Sequence, residues 1–211
     1  VISMLYKFYQ QHIFPHLLNQ VMQTPSLMDL RRELLLPIEG EVLEIGFGTG
    51  LNLPFYQNVD VVYALEPNLE IFQLAKTRIR DSAILVEHLA GKAEQLDFAD
   101  NRLDHVVSTW TLCSVQQIEQ CLAEIYRVLK PGGCLHLVEH VLHPENLYIQ
   151  RLQHLLTPLQ KRLADGCHLN RDLALLLQQA GFEFQEKYEI DAAGIPKIGQ
   201  RMLLARVRKP A

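Results

Sequence analysis

The residues whose types and spacing could do chemistry are two acids and three glycines. In "VLEIGFGTGL" (42–51) an apolar run stops at Glu44, and Gly46, Gly48 and Gly50 follow at alternate positions. Glycines this close together let a backbone turn sharply and approach a ligand. The pattern is GxGxG rather than the GxGxxG of a dinucleotide loop, and no Gly-Lys-Ser/Thr follows to grip a phosphate. A pyrophosphate favours helix amides with no anion nearby, whereas Glu44 stands two residues before the first glycine. The loop therefore suits a ligand that carries positive charge. Glu66, at the end of the next apolar run, is placed to accept hydrogen bonds from two ribose hydroxyls.

Five runs read as strands that must hold these groups: "VLEIG", "VDVVYALEP" (59–67), "AILVEHLAG" (83–91), "LDHVVSTW" (103–110) and "GCLHLVEHV" (133–141). The first, second and fourth are apolar almost throughout, as strands covered on both faces should be. Between them, Phe72, Ala75 and Ile79 fall at helical spacing within residues 68–81. A second stripe of Ile118, Leu122, Ile125 and Leu129 ends at Pro131 and two glycines, and Ser114 with Gln117 has the capping-box pattern at its start. Alternating strands and helices predict a parallel α/β sheet. The ending differs. Asn170 is expected to cap "RDLALLLQQAG", whose Leu173, Leu176, Leu177 and Ala180 share a face and whose Gly181 stops it. "FEFQEKYEI" and "QRMLLARVRK" then follow with too little chain between them for a crossover helix, which predicts an antiparallel hairpin.

S-adenosylmethionine combines a sulfonium with an α-ammonium and has no phosphate, which agrees with the loop. "VLEIGFGTG", "ALEPN", "LDHVVSTWTLCSV" and "EIYRVLKPGG" resemble the ordered motifs of class I S-adenosylmethionine-dependent methyltransferases, over most of residues 40–142. More narrowly, "LCSV", "RVLKPGG", "EHV", "DGCHLNR" and "AGF" look like the methyltransferase-like seven group of alkyl thiol methyltransferases. The resemblance implies a Rossmann-like α/β fold with a seven-stranded mixed sheet in the order 3-2-1-4-5-7-6, strand 7 antiparallel. It implies Glu44, Gly46, Gly48 and Gly50 around the methionine part, and Glu66 on the ribose. It puts Pro67, Asn68, Ala93 and Glu94 beside the adenine, and Thr109, Trp110 and Leu112 under the methyl group. Many relatives carry an Asp where this chain has Lys92, and a lysine cannot accept the adenine amine, so that contact falls to backbone or to Glu94. The product would be S-adenosylhomocysteine.

Residues 1–211 are expected to form one domain. It comprises an N-terminal helical segment (1–36), a cofactor core (40–142), a helical insertion over the acceptor site (143–168), and the last helix with the hairpin (169–211). In the insertion, Leu147, Ile149, Leu152, Leu155 and Leu156 offer apolar area for a small, largely apolar acceptor. His140, Asp165 and His168 are the candidate catalytic residues, should the acceptor's proton need a base. A thiol needs only its thiolate; a quinone-type phenol or a phospholipid amine, the alternative acceptors, would need a neighbouring proton acceptor.

"HLVEH" (136–140) matches a zinc signature that requires a helix, but here it reads as a strand, which would hold His136 and His140 roughly 13 Å apart. No metal is expected there. A formal net charge of −4 does not invite nucleic acid, and no stretch is apolar enough to span a membrane. Four cysteines without a CxxC pair suit a reduced, cytoplasmic chain. Leu5, Phe8, Tyr9 and Ile13 share one N-terminal face, expected to pack internally; a lid or a peripheral membrane contact is the alternative. Two rival functions remain at this stage. A nicotinamide oxidoreductase requires GxGxxG and no acid at position 44, and a non-catalytic cofactor-binding subunit predicts an eroded loop.

Overall fold

The computed structural model describes residues 2–211, with the backbone alone for Ile2 and Ser3; Val1, the first residue of the expected N-terminal segment, lies outside the described residues. Seven strands form one sheet: β1 (Glu39–Ile45), β2 (Asn58–Leu65), β3 (Leu85–Leu89), β4 (Leu103–Thr109), β5 (Leu129–His140), β6 (Glu183–Asp191) and β7 (Arg201–Arg208). Their spatial order is β3-β2-β1-β4-β5-β7-β6. Strands β1 to β5 pair in parallel, and β7 runs antiparallel to both β5 and β6. The order reverses between β1 and β4, and their carboxyl ends open onto the crevice where ligands bind in sheets of this kind.

Both faces of the sheet are covered. On one, Leu43, Ile45, Leu135 and Leu137 pack against Ile118, Leu122 and Ile125 of α6 (Ile118–Val128) and Leu173 and Leu177 of α8 (Leu173–Gln179). On the other, Val42, Val62, Val107 and Val138 pack against Leu27, Leu30 and Leu34 of α3 (Pro25–Leu35). Burying each such side chain stabilises the fold by roughly 1.5–3 kcal/mol. Alternation along β1 decides which face Glu44 takes: it shares the side of Val42, the α3 side.

Several local expectations are corrected. The helix expected over 68–81 is two short ones, α4 (Leu69–Gln73) and α5 (Lys76–Asp81), with Asn68 capping the first through the amides of Glu70 and Ile71. The Ser114–Gln117 box does not form. Gln117 is the cap of α6 without a side-chain bond, and its amide is taken by the Glu94 carboxylate at 3.3 Å. Helix α6 also stops at Val128, before the proline, because Leu129 already pairs with Leu103 in the sheet. Lys209 completes that end by donating to the carbonyls of Tyr126 and Leu129, both at 2.8 Å. Asp172, not Asn170, caps α8, accepting from the Leu175 amide, while Asn170 turns to Thr157 and His154.

At the N-terminus, α1 (Ile2–Phe8) continues through a π-helical turn (Tyr9–Ile13) into α2 (Phe14–Val21). The expected packing face is not one: Leu5 is 63%, Phe8 55% and Ile13 47% exposed. Tyr9 instead anchors this segment by donating to the Leu163 carbonyl, at the end of α7 (Leu147–Leu163). The 3.6-residue period of α7 likewise divides the five apolar residues expected to face the acceptor. Ile149 is buried and Leu152 half-buried, whereas Leu147, Leu155 and Leu156 face solvent. Among the described residues no helix is long and apolar enough to cross a membrane.

Candidate active site

The glycine loop leaves β1 as a chain of left-handed turns: φ is +69° at Gly46, +60° at Gly48 and +75° at Gly50. A Cβ at Gly46 would overlap the Thr111 side chain, so this glycine answers both a dihedral and a close approach. The loop is tied to β2, since the amides of Gly46 and Phe47 both donate to the Leu65 carbonyl. Glu66 follows directly and is 7% exposed. Its two oxygens accept from the Gly48 amide at 3.0 Å and the Asn68 amide at 2.9 Å. Burial raises the Glu66 pKa, the two amides oppose that, and the Asp165 charge adds to it. Asp165, in the α7–α8 connection, is exposed in a left-handed turn with φ +45°.

Glu44 is not open at that mouth. It is 1% exposed, with Asn52 donating to one oxygen at 2.9 Å and the Tyr56 hydroxyl to the other at 2.7 Å. Arg31 of α3 completes the cluster, donating to Asn52 Oδ1 at 2.8 Å and Thr109 Oγ1 at 2.9 Å, with its guanidinium 4.6 Å above the Trp110 ring. Burial pushes the Glu44 carboxyl up to about 7, against the pull of Tyr56, Arg31 and Asn52, and brings Arg31 down to about 10. The loop thus rests on a buried polar network joining α3, β1 and the end of β4.

A third buried carboxylate carries no motif in the sequence. Glu139 of β5 is fully buried, and Oε1 accepts from Ser108 Oγ and from the amides of Thr111 and Leu112 at 2.8–2.9 Å. Oε2 accepts from the Cys113 amide at 3.2 Å. This fixes the turn after β4, where Trp110 takes a left-handed φ of +54° and Leu112 is fully buried. Burial raises the Glu139 pKa, with the Leu112 and Thr111 amides acting against it. A strand residue inside an apolar run gave a single signal: a carboxylate there must have donors waiting.

The structure brings Glu44, Gly46, Gly48, Gly50, Glu66, Asn68, Thr109, Trp110 and Leu112 to the carboxyl ends of β1, β2 and β4. Pro67 is exposed beside Glu66, and Ala93 is buried in the core next to Leu65 and Leu96. Glu94 serves the α6 N-terminus, and Lys92 pairs through its backbone with Gln95. His136 and His140 do not meet: His136 lies 3.1 Å from His105, while His140 contacts Cys167 and the His168 carbonyl. His168 donates its backbone amide to the Cys113 carbonyl at 2.9 Å, and its ring Nδ1 lies 3.3 Å from the Arg171 guanidinium.

These features fit S-adenosylmethionine. The glycine turn offers close backbone approach without a phosphate grip, and the Glu66 carboxylate closes its β2 side. Fold and loop together define an S-adenosylmethionine-dependent methyltransferase. Residues 43–137 match the family model described as "Methyltransferase domain". The chain is 36% identical to human thiol S-methyltransferase TMT1B over 164 residues, covering 72% of this chain and 67% of that protein. It is 38% identical to the rat thiol S-methyltransferase TMT1B over 148 residues, 68% of this chain and 60% of that relative's length. Among solved structures, a protein of Bacillus halodurans shares the fold, superposing with a TM-score of 0.66 at 23% identity and covering 87% of this chain and 98% of that one. The chain belongs to the class I S-adenosylmethionine-dependent methyltransferase family.

Proposed function

We propose that this protein transfers the methyl group of S-adenosylmethionine to the sulfur of a small, largely apolar thiol, in the reducing cytoplasm. The observation that carries this reading is the likeness to thiol S-methyltransferases over more than two thirds of the chain. The site is compatible with it. Leu112 and Cys113 of the turn after β4 are buried, and all four cysteines are free thiols.

The cosubstrate supplies a methyl group already activated on a sulfonium, so the chain's task is to hold, align and exclude water. Glu66 would orient the ribose through the oxygens that now hold Gly48 and Asn68. The network under Glu44 would keep the glycine loop rigid, and Glu139 would keep the 110–113 turn at fixed height under the reacting centre. Asp165 and His168 are the groups we would have take the acceptor's proton, and His140 the third. Neither strong acid catalysis nor a covalent protein intermediate is needed for an in-line displacement. The insertion over 143–168 would cover the acceptor through Ile149, which is buried, and Leu152, which is half-buried.

The test is S-adenosylhomocysteine formation, read by mass spectrometry, with an alkyl thiol, a quinone-type phenol and a phospholipid amine offered separately. Thiol-dependent product formation with a methyl thioether is expected. Product with the phenol or the amine alone would overturn the thiol assignment and leave the family unaffected.

A further inference from the structure

Helices α1 and α7 border a solvent-open cavity of about 520 Å³ to which the glycine loop contributes nothing. Tyr6 of α1, His154, Pro158, Lys161 and Arg162 of α7, and His168 from the segment before α8 line it. A space of that size takes a small organic molecule rather than a bare ion. Gln10 fixes its wall, since the side-chain amide donates to the Tyr6 hydroxyl oxygen at 3.0 Å and to the Arg162 carbonyl at 3.3 Å.

The polar groups that line this space are donors left without protein acceptors. The Tyr6 oxygen already accepts from Gln10, so its own proton is free to be donated. None of the ion pairs among the described residues involves Lys161 or Arg162, and Asp165, just beyond the helix, pairs with neither. His154 Nδ1 lies 2.8 Å from the Asn170 side-chain amide, and His168 Nδ1 lies 3.3 Å from the Arg171 guanidinium. Among the described residues, Nε2 of each ring has no partner.

The charge around the cavity has one sign. The chain as a whole carries −4, yet residues 1–28 and 146–164 contain no Asp or Glu and include Lys7, Arg151, Lys161 and Arg162. Burial and the charges of Arg171 and Lys161 all lower the His168 pKa, so cations crowd this place without a counter-ion. Two fixed positive charges match a phosphomonoester, which carries roughly −1.5 to −2 near pH 7, better than a singly charged carboxylate or phosphodiester. Its oxygens accept several donors at once, and a guanidinium meets them as a planar fork. The Tyr6 ring and Pro158 offer apolar contact to the rest of the molecule.

We propose that the cavity between α1 and α7 binds a phosphomonoester with a small, partly apolar body. Lys161 and Arg162 hold the phosphate from α7, Tyr6 from α1, and His168 from the segment that precedes α8. The ligand thereby ties the N-terminal helix to α7, a connection otherwise made by Tyr9 and Gln10. The site is separate from the cosubstrate loop and stands whichever acceptor is methylated.

The experiment titrates the full chain with phenyl phosphate in a calorimeter at low ionic strength. Saturable binding at one site is expected, weakened by added salt and by at least about tenfold in the Lys161→Ala/Arg162→Ala double variant. Circular dichroism records the fold of that variant, and Arg162→Gln alone gives the same reading should the double variant misfold. Tyr6→Phe, which removes one donor, should weaken binding by a smaller factor. No saturable binding overturns the proposal, and so does undiminished binding by the folded variants. Phenol bound as tightly as phenyl phosphate would reduce the site to an apolar groove and overturns it too. Binding must also persist with S-adenosylhomocysteine at saturation; its abolition would move the phosphate to the glycine loop. Two sources carry this chemistry, a free phosphate ester and the monoester headgroup of phosphatidic acid. Sedimentation with vesicles of phosphatidic acid in phosphatidylcholine, absent with phosphatidylcholine alone and competed by phenyl phosphate, would assign the group to a lipid. Phenyl phosphate binding without sedimentation would assign it to a free ester, and either result sustains the site.

Discussion

The Glu66 carboxylate accepts the Gly48 amide at 3.0 Å, so the acid at the end of β2 and the middle glycine of the loop are one mechanical unit. Replacing that carboxylate removes a proposed ribose ligand and frees the loop at once. Glu66→Ala should therefore weaken S-adenosylhomocysteine binding by roughly 1.5–3 kcal/mol in calorimetry, and neither NAD nor NADP should bind the native chain. Undiminished affinity would remove Glu66 from the site; tighter binding of a dinucleotide would overturn the cosubstrate.

Two glycines with nearly the same dihedral separate strain from contact. Gly40 has φ +73° and open space around a Cβ, whereas Gly46 has φ +69° and Thr111 in the way. An alanine in the left-handed region costs roughly 1–2 kcal/mol at either place. Gly46→Ala should lose about 1–3 kcal/mol more from overpacking, together with cosubstrate binding. Equal denaturant midpoints for the two variants would show that the Thr111 contact is immaterial.

Glu139 satisfies three amides and a serine hydroxyl inside the core. Glu139→Ala leaves those donors buried without partners and should destabilise the fold by at least about 3 kcal/mol. For a chain of this size that is a fall in Tm of roughly 6–12 °C, read by differential scanning calorimetry. Glu139→Gln keeps an acceptor oxygen and should fall between. A Tm within a degree or two of native for the alanine variant would mean that water replaces the carboxylate freely.

Glu44 makes stability depend on pH with a definite sign. Its folded pKa is raised from 4.5 to about 7, so between these values the folded chain holds a proton that the unfolded chain has released. Stability from this group is therefore full below about 4.5, declines as pH rises toward 7, and is level above that. Glu44→Gln should flatten that part of the stability curve, measured by urea unfolding from pH 4.5 to 8. A variant curve parallel to the native one would show that other groups carry the slope.

A thiol acceptor should make turnover rise with pH toward its free pKa of about 8.5. If Asp165 and His168 take the proton, the Asp165→Asn/His168→Ala double variant should be slowed at neutral pH and recover as pH approaches that value. Native turnover by the double variant at pH 7 would show that neither residue is the base.

By itself the sequence determined everything that rests on local pattern. Alternation and apolar runs fixed the seven strands, and the short Gly/Pro connection after β6 forced the antiparallel end of the sheet. Glycine spacing marked the loop, because left-handed dihedrals are a property of single residues. What only the tertiary structure decided involves groups far apart in the chain that the sheet brings to one edge. Arg31, Asn52 and Tyr56 meet under Glu44, and Glu94 displaces a local capping box at α6. Ser108 and the 111–113 amides converge on Glu139, and Cys113, His140 and Cys167 on one another. The physical reason is the same each time. A buried polar group must find a partner, but its side chain does not specify which distant donor the packing will deliver.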